Sequence, residues 1–414
     1  MKVGYAQADI TPNKSVELAG FGVKQETVGV YDPLYVRVLY FDNDKDIYLI
    51  QTDLVGIDRD VVFMLANMLQ IEAQQLMICC SHTHSGPTGT VKLDGLQHIF
   101  GTFDNEYMSN WLNQAFTCCL KAKSESTEAK IGYQRTLIHD IGSDRHDNST
   151  GDDNVAIFVF ELNNDKKILL YSLACHPTIL NGDNLYISAD LPYGVIKELA
   201  DEYEGIMFVN GSAGDISTRF TRSESTHDEV IRKGKIIADK IKEVTSDLIY
   251  QDIDFLAVDT LNIDVNLKEI PDLTSIKNKL SEQNKLIANA IKDGKSKTEI
   301  RLLESTAEGY NTTLSGVEVL QQLQGLNLNV TLLKINDKIL VGLPVELFSK
   351  LTLKYHQLNS RLHFISYCNG YYLYLTNEVA YDESYYEAGA TVFAKGEGER
   401  IMAIIYQKIL DLKW

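Results

Sequence analysis

No stretch of this chain is apolar for long enough to cross a bilayer. Its first residues, Met-Lys-Val-Gly-Tyr-Ala-Gln-Ala-Asp, lack the continuous apolar core of a signal peptide. Positive charge is scarce too: 39 Lys and Arg stand against 57 Asp and Glu, a net charge of −18. The most basic stretch, Lys292–Lys297, is interrupted by Asp293, Gly294 and Ser296. A surface of that sign excludes nucleic acid as a partner and argues against stable anchoring on an anionic membrane. Only seven prolines occur, and no low-complexity tract or solenoid-length repeat is present. The six cysteines fall as Cys79–Cys80, Cys118–Cys119, Cys175 and Cys368, with no zinc-ribbon spacing. They read as buried reduced thiols, so a soluble, cytoplasmic protein is expected.

What is present is globular: 414 residues, 44% hydrophobic and 23% charged. Apolar strand-like runs alternate with helical spacing. Strands are expected over 35–41, 46–52, 76–80, 155–162, 168–174, 206–210, 255–265, 330–335, 338–342 and 363–367. Helices are expected over 59–75, 105–123, 194–204 and 228–248. The alternation predicts an α/β fold with mixed β-sheets flanked by helices, as a single large domain over 1–414. Residues 272–324 are polar but keep leucines at helical spacing, with a break at Asp293-Gly294. They are expected to form a helical hairpin lying passively on the surface.

Four segments could carry chemistry, each at the end of an apolar run. Cys80-Ser81-His82-Thr83-His84-Ser85-Gly86-Pro87 sends a buried strand into a His-x-His pair. On an extended chain that spacing puts both imidazoles on one face, where they could bind zinc or form an incidental surface turn. Ala174-Cys175-His176-Pro177 repeats the pattern with a histidine and a breaker. Gly211-Ser212-Ala213-Gly214-Asp215-Ile216-Ser217 is a Gly-rich loop with a hydroxyl and a carboxylate. It could face a ligand or merely close a turn through an Asx bond. Pro344-Val345-Glu346 supplies a strand-end carboxylate that is either an oxygen ligand or a solvated surface group. Tyrosines then cluster at Tyr371, Tyr372, Tyr374, Tyr385 and Tyr386, where aromatic packing is the ordinary role.

Taken in order, these segments resemble the catalytic domain of the neutral/alkaline (non-lysosomal) ceramidase family. Ala8-Asp9-Ile10-Thr11-Pro12, Ala19-Gly20-Phe21-Gly22, Tyr35-Val36-Arg37 and Gln51-Thr52-Asp53 belong to the same ordered set. The resemblance implies one zinc ion held by His82, His176, Glu346 and Tyr374. It puts His84, Arg145, Ser217 and Tyr386 around the substrate amide, Arg145 standing in Ser143-Asp144-Arg145. The function it implies is zinc-dependent hydrolysis of an N-acyl amide, water activated on the metal attacking the carbonyl. Two departures stand out. The family's Gly-Asp-Val-Ser-Pro-Asn reads Gly-Asp-Ile-Ser-Thr-Arg here, which adds the charge of Arg219. The family's immunoglobulin-like C-terminal domain is expected to be absent, which points to short or water-soluble N-acyl substrates. The rival readings are a metal-dependent phosphoesterase or other ester hydrolase, and a non-catalytic binding protein on the same fold.

Overall fold

The computed structural model describes residues 1–22, 26–270 and 272–412. Its framework is eight strands: β1 (Lys2–Asp9), β2 (Tyr35–Asp42), β3 (Asp46–Thr52), β4 (Leu76–Cys80), β5 (Thr127–Leu137), β6 (Asn154–Leu162), β7 (Lys167–Leu173) and β8 (Gly205–Asn210). They run in the order β8-β7-β6-β5-β1-β2-β3-β4, with Tyr250–Asp252 also paired to β5. The β3–β4 and β7–β8 pairs are parallel and the other pairs in this order antiparallel.

β1 meets β5 only through Lys2↔Glu128 and Val3↔Thr127, and there the sheet divides into two halves that pack face to face. Phe41 of β2 meets Phe160 of β6 edge-on, with ring centroids 5.6 Å apart. Val3, Leu49, Met77, Ile131, Leu170 and Val209 fill the same inner layer. Because successive strand residues point to opposite faces, the alternate set looks outward and must be covered by helices. Val38, Ile50 and Ile78 pack under α1 (Arg59–Leu69) and α2 (Asn105–Ser124), with Leu65 and the fully buried Trp111. Ile157, Val159 and Phe208 pack under α3 (Leu191–Leu199) and α4 (His227–Thr245), against Val195, Val230 and Ile237. Each such buried side chain contributes roughly 1.5–3 kcal/mol of transfer free energy. Helices α3 and α4 nearly touch at Gly194 and Gly234, where a Cβ on Gly234 would lie 2.1 Å from the Gly194 carbonyl carbon.

A second sheet holds β9 (Leu256–Asp264), β10 (Asn327–Ile335), β11 (Lys338–Gly342) and β12 (Leu362–Ile365), in that order, the last pair parallel. Between β9 and β10 runs the hairpin, α5 (Leu273–Lys292) and α6 (Lys297–Gln322). Helix α6 starts with a capping box formed by Ser296 and Glu299. Toward the C-terminus come α7 (Ser349–Leu358), the short helix Glu378–Asp382, α8 (Tyr386–Ala390) and α9 (Glu397–Asp411). The result is the mixed α/β architecture expected, with mixed sheets flanked by helices.

Two expected helices differ most in their bounds. The 59–75 helix stops at Leu69 because Gln70 turns left-handed, and a short 3-10 turn over Ala73–Gln75 follows. The 194–204 helix begins at Leu191, where Asp190 accepts from the Leu191 amide and Pro192 fills the first turn. All six cysteines are buried and free, and among the described residues no helix is long and apolar enough to cross a membrane.

Candidate metal and amide-binding site

The parallel strands deliver their carboxyl ends to one place. Asn210, the last residue of β8, donates Nδ2 to the carbonyls of Ser81 and Cys175, each at 3.1 Å. That fully buried amide ties together the two segments that carry the histidines. The chain leaves β4 sharply: His82 has φ +68°, so it is not extended, and the expectation that one strand face presents both imidazoles is corrected. The rings meet because His82 turns back, bringing His82 Nε2 and His84 Nε2 to 3.2 Å. A left-handed non-glycine residue costs energy, and the buried bonds around His82 hold it there. Its amide donates to the Leu54 carbonyl at 2.9 Å, and Tyr367 stacks on its ring at 3.9 Å.

His176 sits against the returning Gly-rich loop, its amide donating to the Ile216 carbonyl at 3.0 Å. Glu346 follows β11, and Glu346 and Tyr374 are partners in a short parallel pair. Glu346 Oε2 lies 3.0 Å from His176 Nε2 and 3.4 Å from His82 Nε2. Its Oε1 accepts from the Tyr371 hydroxyl at 2.5 Å. Tyr371 and Tyr367 were not among the sequence candidates, since nothing separates them from other tyrosines of the cluster.

The donor chemistry fits a cation. His82 Nδ1 lies 2.6 Å from the Val55 carbonyl, and His176 Nδ1 lies 2.7 Å from the Ala213 carbonyl. A carbonyl can only accept, so each Nδ1 carries the proton. Burial, and then the Arg145 guanidinium, push the His176 imidazole down to about 4. At neutral pH its Nε2 therefore bears a lone pair, which faces the Glu346 carboxylate with no proton between them. Burial and the neighbouring imidazoles also push His84 well below its ordinary value, and His84 Nδ1 has no hydrogen-bond partner. One nitrogen each from His82, His84 and His176 lie within 4.8 Å of one another. Among the described residues this is the single such cluster of potential metal-ligating groups. Backbone-oriented imidazoles converging on a carboxylate are an arrangement that could hold a buried divalent metal.

Around it stand the remaining candidates. Arg145 is brought in by the pairing of Ser143-Asp144 with Ile216-Ser217. Its Nη2 lies 2.9 Å from both ring nitrogens of His176, and its Nη1 is 3.5 Å from the Tyr374 hydroxyl. Tyr374 and Tyr386 are perpendicular neighbours at 6.0 Å. Ser217 is buried beside His176, its Oγ accepting from the Arg219 amide at 3.4 Å. Asp215 has a framework role, since its carboxylate caps α7 through the Ser349 amide and hydroxyl at 2.7 and 3.0 Å. Gly20 explains the Ala-Gly-Phe-Gly segment: at φ +93° its missing Cβ would lie 2.5 Å from the His84 ring.

A cavity of about 460 Å³ opens on these groups, lined by His84, Arg145, Tyr374 and Tyr386 on one side. Arg301, Ser305, Glu308 and Thr312 of α6 line it too. The hairpin is therefore a wall of the site, which corrects the expectation of a passive surface element. Its polar composition concealed this, because polar residues can face a wet cavity as well as bulk solvent. A second cavity of about 420 Å³ adjoins at Tyr385, Tyr386 and Thr312, with Ile276, Leu320, Leu373 and Val392 in its walls.

Arg145 is itself held in place. Glu387 pairs with it at 3.1 Å and with His146 Nε2 at 2.8 Å, while His146 Nδ1 lies 2.8 Å from Asp144. Tyr385 stacks on His146, and Lys350 takes the other Asp144 oxygen at 2.7 Å. Burial disfavours the imidazolium, but Asp144 and Glu387 outweigh it and raise His146 to about 9. The folded value lies above the unfolded one of about 6.5, so this stabilisation is complete below about pH 6.5 and is lost as pH rises through about 9. Between pH 6 and 9.5 the wild type is expected to lose on the order of 2–3 kcal/mol more stability than His146→Gln. Denaturant melts across that range measure the difference, and parallel pH slopes would refute it.

Comparison with known proteins bears on the whole chain. Residues 1–195 match the family described as neutral/alkaline non-lysosomal ceramidase, N-terminal, which agrees with the resemblance carried by the motifs. The fold is that of a neutral ceramidase from Pseudomonas aeruginosa, with TM-score 0.72 at 16% identity, over 97% of this chain and 73% of that one. A structure described as ceramidase complexed with C2 matches with TM-score 0.71 at 16% identity, over the same 97% and 73%. No curated protein sequence matches the chain.

Proposed function

We propose that this chain, a relative of the neutral/alkaline non-lysosomal ceramidases, is a zinc-dependent hydrolase of N-acyl amides. Family and fold support an enzyme that hydrolyses the amide of ceramide-type compounds. The observation that carries the finer reading is the convergence of the His82 and His176 Nε2 atoms on the Glu346 carboxylate, with each Nδ1 already committed to a backbone carbonyl. His82, His176 and Glu346 would hold the metal, Tyr374 being the fourth ligand that the family resemblance implies. When bound, the ion supplies Lewis-acid activation of water and of the substrate carbonyl.

The chain's own groups do the rest. Tyr371 fixes one Glu346 oxygen, leaving the other directed at the histidines. The Tyr386 hydroxyl stays protonated, because burial and then Glu346 push its pKa up, so it is available to donate to a developing oxyanion. Arg145, oriented by Glu387, adds positive charge beside it. His84 is neutral at working pH, so it can take the proton released by the attacking water and hand it on to the leaving amine. The apolar cavity behind Tyr386 suits the acyl chain. A two-metal phosphoesterase is disfavoured by the single ligand cluster among the described residues.

The test is metal analysis of the purified protein, joined to a panel of N-acyl amides of graded chain length, carboxylic esters and phosphate esters. About one zinc per chain, with amides turned over and phosphate esters untouched, is the expected result. Phosphate-ester turnover without amide turnover would overturn the reading.

A further inference from the structure

Three arginines line the larger cavity, and two of them are already neutralised. Arg145 pairs with Glu387 at 3.1 Å. Arg301 forms a two-pronged pair with Glu308 at 2.6 and 3.1 Å and lies 3.8 Å from Glu304. Arg219 differs. Its one side-chain hydrogen bond runs from Nη1 to the Arg145 carbonyl at 3.4 Å, and among the described residues no carboxylate lies within ion-pair distance of it. Burial, together with Arg145 and Arg301, brings its pKa down to about 10. The cationic form is thus disfavoured by its surroundings and would be relieved by an anion. In a chain of net charge −18, an uncompensated guanidinium facing a cavity needs a specific counter-charge.

We infer that Arg219 is the reader of an anionic group on the substrate, so that the amides this site takes carry a carboxylate or phosphate close to the scissile bond. The inference rests on the amide-hydrolase reading above and narrows its substrate class. The planar fork of a guanidinium matches both oxyanions in a two-pronged fashion. Arg219 lines the same cavity as His84, Arg145, Tyr374 and Tyr386. An N-acyl amino acid presents such a carboxylate one carbon from the amide nitrogen. A neutral N-acyl amino alcohol leaves the guanidinium unanswered. The acyl chain keeps the apolar cavity, which has no part in the discrimination.

The experiment compares N-hexanoylglycine, N-hexanoyl phosphoethanolamine and neutral N-hexanoylethanolamine on the protein as purified. It measures turnover and, separately, binding by calorimetry. The anionic amides are expected to exceed the neutral one by about 10- to 100-fold in kcat/KM and in affinity, the range of a charge-assisted pair. The carboxylate and phosphate arms show which anion is preferred. In Arg219→Gln the anionic-to-neutral ratio should fall toward one, and Arg219→Lys should keep part of it. Equal binding of anionic and neutral compounds by the wild type would overturn the inference. So would a preference that survives Arg219→Gln and vanishes in His176→Ala, since the anion would then be on the metal. If no amide is turned over while anion binding still depends on Arg219, the anion subsite stands and the hydrolase reading falls.

Discussion

Replacing His176 by alanine is expected to give a folded protein that holds almost no metal and has lost on the order of 10³-fold in amide turnover. The metal loss follows from geometry. His176 Nε2 is one of the two nitrogens facing Glu346 Oε2, at 3.0 Å, and a metal held there would lose one of its proposed ligands and with it much of its affinity. The rate loss follows because Lewis-acid stabilisation of several kcal/mol is at stake, and each 1.36 kcal/mol is about tenfold. Fold survives because what holds the segment is backbone: the His176 amide still donates to Ile216, and Asn210 still binds the Cys175 carbonyl. Loss of the imidazole bond to the Ala213 carbonyl costs about 1 kcal/mol, offset in part by removing one member of a crowded set of acceptors. Elemental analysis beside a thermal melt separates the two effects. Full metal occupancy in the folded variant would remove His176 from the ligand set.

Tyr386→Phe is expected to keep metal and fold and to lose about 10²- to 10³-fold in kcat, the usual cost of one oxyanion donor. Tyr386 opens α8, close to the Tyr374 ring at 6.0 Å, and its ring packs in the same place with or without the hydroxyl. Because the donor is needed chiefly when charge develops on the substrate oxygen, kcat should fall while KM changes little. A variant with unchanged kcat would reduce Tyr386 to a packing residue between the two cavities. Equal losses of zinc and of rate would instead assign it to the metal.

Much of the framework could be read from the chain because it depends on local pattern. The strands at 46–52, 76–80 and 338–342 coincide with their observed spans, being short apolar runs between turn residues. β1 and β5 escaped notice for the opposite reason. Lys2–Asp9 and Thr127–Leu137 mix polar and apolar residues, their exposure varies along the strand, and their pairing partners are distant in sequence. Helices α7 and α9 were missed too. Helix α7 takes its N-terminal cap from Asp215, 134 residues away, a signal that no local window contains.

The site divides in the same way. The sequence by itself determined which residue types stand at strand ends: His82, His84, His176 and Glu346. It did so because strand-then-breaker punctuation and ligand chemistry are properties of short segments. Only the tertiary structure decided how they meet. His82 converges through a left-handed turn where an extended strand was expected, and Asn210 joins segments 35 and 129 residues away. Tyr371 claims one oxygen of Glu346, Glu387 and His146 orient Arg145, and the polar hairpin closes the cavity. These arrangements rest on hydrogen-bond direction and burial between residues far apart in sequence.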